Sequence, residues 1–186
     1  LEPYMDKWTP GINKLMATYP DVKPAITAPD GHVYGFPRVV DFLPGLVWRS
    51  PLMNLTWLDR LGLDVPATSD EFIDALRAFR DQDANGNGDS NDEIPYTSHN
   101  WKFAMMAVSN MFGVRFDVQY ERAYPMAVDN GKLNMMLDDD EYRNALRYYA
   151  TLFQEKLMDN EIFAHTAKDY FGKGAAGRVG FTPLYQ

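Results

Sequence analysis

The sequence predicts an α/β fold. Three observations carry that prediction: apolar residues recur at helical spacing, short strand-like runs alternate with them, and turn residues separate the two. No internal repeat or low-complexity segment interrupts the alternation.

Thr9 precedes Pro10, and Ile12, Leu15 and Met16 follow on one face, so a helix is predicted with Thr9 as its cap. A second short helix follows over about Asp21 to Ala28. Pro29-Asp30-Gly31 has turn chemistry, and His32 to Phe36 then reads as a strand. Gly45 to Trp48 is another strand-like run. It leads to a helix carrying Trp57, Leu58 and Leu61 and stopped by Gly62. Thr68-Ser69-Asp70-Glu71 is a capping box, and Phe72, Ala75, Leu76 and Phe79 follow it at helical spacing. That helix runs into DQDANGNGDSNDE at 81–93, and Ile94 to Thr97 leaves the loop extended.

A helix is predicted from Trp101 to Phe112, closed by Gly113, with Met105, Met106 and Met111 as core filler. Asn130-Gly131 marks a hairpin between Met126-Ala127-Val128 and Lys132-Leu133-Asn134. Asp138 or Asp139 caps the longest helix, with Tyr142, Leu146, Tyr149 and Phe153 as its buried face. A short helix near Lys168 to Phe171 precedes a strand, Arg178 to Thr182.

Composition narrows the function classes. Hydrophobic residues make up 46% and aromatics 14% of 186 residues, enough for a substantial core. A net charge of -8 and a pI near 4.8 argue against nucleic acid or an anionic membrane surface as the main partner. Cysteine is absent, which removes disulfides, Cys-ligated zinc and thiol catalysis. No stretch approaches the roughly 18 apolar residues of a membrane span. The chain opens on Leu1 and stops just after a strand-like run, so both ends are expected to be cuts in a longer protein.

The 81–93 loop sets oxygen-bearing side chains at alternate positions with glycines between them, which is what a hard cation requires. An EF-hand frame can begin at Asp81, using Asp83, Asn85, Gly86 and a closing Asp92. A second frame begins at Asp83 and uses Asn85, Asn87, Gly88 and Asp89, with Asp92 and Glu93 closing. The alternative is a solvated polar loop, since Asn, Asp and Gly are ordinary turn residues. Calcium is expected over magnesium, as a structural staple rather than a sensor, because no second loop exists.

Helix, then D-x-N-G-N-G, then D-E-I-P resembles the loop of extracellular solute-binding proteins of family 1, the sugar-type receptors of ABC importers, alginate-binding proteins among them. Ala28 to Tyr34, Trp57 to Leu63, Asn130-Gly131-Lys132, Tyr149 to Leu157 and Gly180-Phe181-Thr182 fall in the family's order, so the resemblance covers nearly the whole chain. It implies a periplasmic-binding-protein-like fold of type II with two α/β lobes. Residues 1–43 would then be the end of the first lobe and the crossover, and 44–186 most of the second. The loop is one residue longer than the commonest family form between Gly88 and Asp92. That leaves open the part played by Asn91, and whether Asp89 binds through its side chain or its carbonyl.

The resemblance implies an extracytoplasmic receptor that captures a carbohydrate and delivers it to ABC permease subunits, held to the membrane only by a lipid anchor outside this chain. Tyr185 falls where relatives place a stacking aromatic. Trp101 and Asn100 follow a strand's C-terminal edge, where α/β sheets bind ligands, and Arg49 can fork onto a hydroxyl or carboxylate. Core packing for the aromatics and a surface ion pair for Arg49 are the plainer readings.

No catalytic constellation stands out. His32, His99 and His165 are isolated, the serines lack G-x-S-x-G context, and Gly172-Lys173-Gly174 lacks P-loop spacing. Asp138 to Glu141 are explained by capping and the helix dipole. Competing functions are a calcium-stabilised glycoside hydrolase and a calcium-dependent interaction module.

Overall fold

A computed structural model describes residues 1–39, 49–114, 117–119, 122–124, 126–129 and 131–185. The predicted strand at Gly45 to Trp48 lies outside them. The chain divides into two units, Leu1–Trp48 and Arg49–Gln186.

The first unit holds helices α1 (Glu2–Trp8), α2 (Pro10–Thr18) and α3 (Val22–Ile26). Thr9 precedes Pro10 as expected, yet makes no side-chain cap; its hydroxyl donates instead to the Met5 carbonyl at 2.8 Å, closing α1. The 29–31 turn forms, with Gly31 at φ 86 and Asp30 accepting the His32 amide. The strand expected over His32 to Phe36 shrinks to one bridge, Thr27↔Val33. Val33 is buried while Tyr34 and Phe36 stay exposed, so no apolar face continues past it.

The second unit is built on a three-stranded sheet. Strands β1 (Arg49–Met53), β2 (Ile94–Tyr96) and β7 (Val179–Tyr185) stand in the order β1-β7-β2, with β1 antiparallel and β2 parallel to β7. A parallel bridge, Tyr96↔Met158, extends the sheet beyond β2. Central β7 tolerates Pro183 because the position of its missing N–H faces the β2 side, and β2 has ended by then. Two antiparallel pairs, β3 (Asp117–Gln119) with β4 (Arg122–Tyr124) and β5 (Met126–Asp129) with β6 (Lys132–Met135), complete the described strands; Asp129 pairs with Lys132, and Asn130 of the predicted turn lies outside the described residues.

Helices α4 (Leu55–Leu61), α5 (Ser69–Asp81), α6 (Trp101–Met111), α7 (Asp140–Gln154) and α8 (Ala167–Ala175) belong to this unit. Gly62 ends α4 at φ 67, and both halves of the Thr68–Glu71 capping box are present at the start of α5. Asp139 stands at the start of α7 without a side-chain cap, behind a 3₁₀ turn at Met136–Asp138. The buried stripe of α7 is Ala145 and Leu152, flanked by half-buried Tyr148, Tyr149 and Phe153, whereas Leu146 is exposed. Met111 is likewise exposed rather than core. α8 runs four residues past the predicted Phe171, and a second capping box, Thr166–Asp169, opens it.

Phe72, Tyr96 and Phe181 meet edge to face at the centre of the core, and Trp57 packs the same way on Phe79. Gly180 lets α5 approach β7: a Cβ there would lie 2.5 Å from Phe79 Cδ2 and 2.9 Å from the Pro95 carbonyl.

Candidate functional site

Parallel β2 and β7 point their C-terminal ends to one edge of the sheet, and antiparallel β1 begins there. Arg49 and Tyr185 are cross-strand partners at that edge. Thr97 donates its amide to the Phe181 carbonyl, so the chain leaving β2 emerges beside β7 and carries Asn100 and Trp101 away from the same edge. The sheet thus brings all four sequence-predicted ligand residues to one side.

The side chains of Arg49 and Tyr185 lie outside the described residues; those of Asn100 and Trp101 differ in what they can offer. The Asn100 oxygen accepts the amides of Lys102 and Phe103, capping α6, which leaves its NH₂ as the group able to donate elsewhere. Trp101 is 39% exposed, so it is not a core tryptophan. Below it, Asp159 accepts from the Thr97 hydroxyl at 2.7 Å and the Lys173 ammonium at 2.8 Å. Burial raises the Asp159 carboxyl, but the hydrogen bonds from Lys173, Thr97 and the Glu161 amide outweigh it and hold the group below the ordinary carboxylate range. Three buried atoms in this region, Ser98 Oγ, His99 Nδ1 and His165 Nδ1, have no hydrogen-bond partner in the protein. An apolar groove of about 370 Å³ between β1, β7 and α8 includes none of the four candidates.

The acidic loop lies at the opposite edge, between α5 and β2. Asp83 accepts the amides of Gly86, Asn87 and Gly88, and Asn85, Asn87 and Asp89 each accept the amide two residues on. Gly86 and Gly88 adopt φ 75 and 94, which this curl requires. Asp92 accepts from the side-chain amides of Asn85 and Asn87. Asp81 is held by the Arg80 guanidinium at 2.6 Å, outside the curl, which favours the frame that begins at Asp83. Among the described residues no three His, Cys, Asp or Glu side chains are grouped to hold a metal ion. The loop still fits one in a specific respect: Glu93 Oε2 is buried and unpartnered, an anionic oxygen that costs free energy unless a cation or donor meets it. Asp89 turns its carboxylate to Asn91.

No family model matches the chain. It is 30% identical, over 97% of its length, to the fructooligosaccharide ABC transporter substrate-binding protein FusA of Streptococcus pneumoniae, of which it covers 34%. The structure of that protein in complex with kestose superposes over the whole chain with a TM-score of 0.79. The relatives that cover this chain are thus sugar ABC transporter substrate-binding proteins.

Lipoprotein LipO of Bacillus subtilis is 29% identical over 81% of the chain. An alginate-binding protein, AlgQ2, solved without calcium ion, is 26% identical with a TM-score of 0.81. Another solved form of the S. pneumoniae protein is an EF-hand mutant with fructo-nystose, TM-score 0.81. The chain spans between 28% and 38% of the length of these relatives, as part of a lobe of their α/β fold. Among the described residues no helix is long and apolar enough to cross a membrane.

Sequence reasoning missed Phe163, which the 3₁₀ turn Asn160–Phe163 brings beside Trp101, and Arg178, which ties the acidic loop to β7. Neither lies in a motif.

Proposed function

We propose that the protein containing this chain is the extracytoplasmic solute-binding receptor of an ABC importer. It captures an oligosaccharide and hands it to the importer's permease subunits without chemistry. The observation that carries this reading is the match of the whole chain to a receptor solved with kestose. The gathering of Arg49, Tyr185, Asn100 and Trp101 at one sheet edge supports it, because aromatic faces and planar polar groups are what sugar rings and their hydroxyls need.

In this reading Asp83, Asn85, Asn87, Asp92 and Glu93, with Asp89 through its side chain or carbonyl, hold a structural calcium ion. The ion offsets repulsion among the carboxylates and staples α5 to β2.

The test is a thermal-shift screen of the full-length protein against mono- and oligosaccharides. At a ligand concentration a hundred times Kd the native state gains about 2.7 kcal/mol, a rise of several degrees. Trp101→Ala and Tyr185→Ala should reduce that rise. A panel that moves no melting temperature overturns the reading, and turnover of a glycoside favours the hydrolase instead.

A further inference from the structure

A row of aromatic rings runs from the C-terminal edge onto α7. Ring centroids stand 6.2 Å apart from Trp101 to Phe163, 5.4 Å from Phe163 to Phe153 and 5.1 Å from Phe153 to Tyr149. Phe153 and Tyr149 pack against the core, but Trp101 is 39% and Phe163 62% exposed. Local structure does not account for Phe163, because Ile162, at 1% exposure, is the residue that anchors the turn. Two large aromatics left in water side by side form a patch that marks an interaction site.

We propose that Trp101 and Phe163 form a two-ring platform for consecutive units of an oligosaccharide, with Phe163 serving the subsite that only longer chains reach. The inference rests on the receptor reading above. Topology puts both rings on the ligand side: Met158 pairs in parallel with Tyr96, so the turn at 160–163 leaves the same edge as residues 97–101. The rings are also held in place. Phe153 stacks under Phe163 at an interplanar angle of 23°, and the Tyr149 hydroxyl donates to the Trp101 carbonyl at 3.4 Å. Rings fixed before binding lose little freedom on meeting a sugar face, so their contact area is available for affinity. A monosaccharide covers one ring; a chain of two or more units covers both.

The experiment is titration calorimetry of the full-length protein with fructo-, malto- and lacto-series sugars of one to four units. In the series that binds, Phe163→Ala should weaken di-, tri- and tetrasaccharides about tenfold and monosaccharides less than twofold, and Phe163→Trp should restore the longer chains. Phe163→Leu, which keeps apolar volume without a ring face, carries the same expectation if the alanine variant folds poorly. Equal loss at every length, or none at any, overturns the platform and leaves the receptor reading intact. A wild-type protein that binds no member of the panel overturns both.

Discussion

Arg178 donates from Nε to the backbone carbonyl of Asp92 over 2.7 Å, while its own carbonyl accepts the Ile94 amide at 2.7 Å. One residue therefore fastens the exit of the acidic loop to the first turn of the central strand. A charged donor on a backbone acceptor contributes about 1.5–3 kcal/mol.

That clamp makes the metal proposal measurable. A chelator should lower the melting temperature of the full-length protein, and Asp83→Ala should abolish most of that sensitivity. Arg178→Met should leave the loop able to bind but weaken its calcium affinity, read as a higher calcium concentration at half-maximal stabilisation. A melt unmoved by chelator and by added calcium rules the staple out.

Gly180→Ala should be among the most damaging small substitutions in this unit. Phe79 is fully buried against Trp57, and the Pro95 carbonyl at 2.9 Å is backbone, so neither gives way easily to an added methyl. The expected cost is about 1–3 kcal/mol, checked by urea denaturation.

Asp159 and Lys173 should shape stability at opposite ends of the pH scale. The Asp159 carboxyl lies below its ordinary value of 3.8, so its contribution is complete above 3.8 and lost as pH falls through the lower folded value. Burial lowers Lys173, but its bonds to Asp159 and Glu161 prevail and lift it above 10.5; its contribution is complete below that and lost as pH rises through the folded value. Both side chains are largely buried. Asp159→Asn should therefore cost about 3 kcal/mol at neutral pH and flatten both limbs of the stability profile. Unchanged limbs would show that the pair is not coupled to folding.

Features governed by neighbouring residues were legible in the sequence. The Thr68 capping box, the Gly62 stop and the pairing of 126–129 with 132–135 follow from chemistry within a few positions, and all three are present. The face of α7 is harder to read because one of its two buried residues is Ala145, too small to register as a core signal, while apolar Leu146 faces water. The last turn of α8 is hidden in the sequence because Gly172 and Gly174 weaken helical propensity, while Lys173 between them is held by Asp159 and Glu161 from outside the helix. Of the candidate site, the residues could be named but their meeting could not. Arg49 and Tyr185 become neighbours only through an antiparallel pairing of strands 136 positions apart, and Phe163 through a single bridge at Met158.

Tyr96 carries a consequence for how the second unit comes apart. Its amide donates to Leu157, its carbonyl accepts from Asp159, and its hydroxyl donates to Ala104, all with no exposure to solvent. Freeing that amide means parting β2 from the 157–159 segment and opening the core around the ring, so no local fluctuation suffices. In deuterium exchange Tyr96 should be among the last backbone protons lost, at the rate set by global unfolding. The amides of β6, whose side chains are all exposed, should be gone long before.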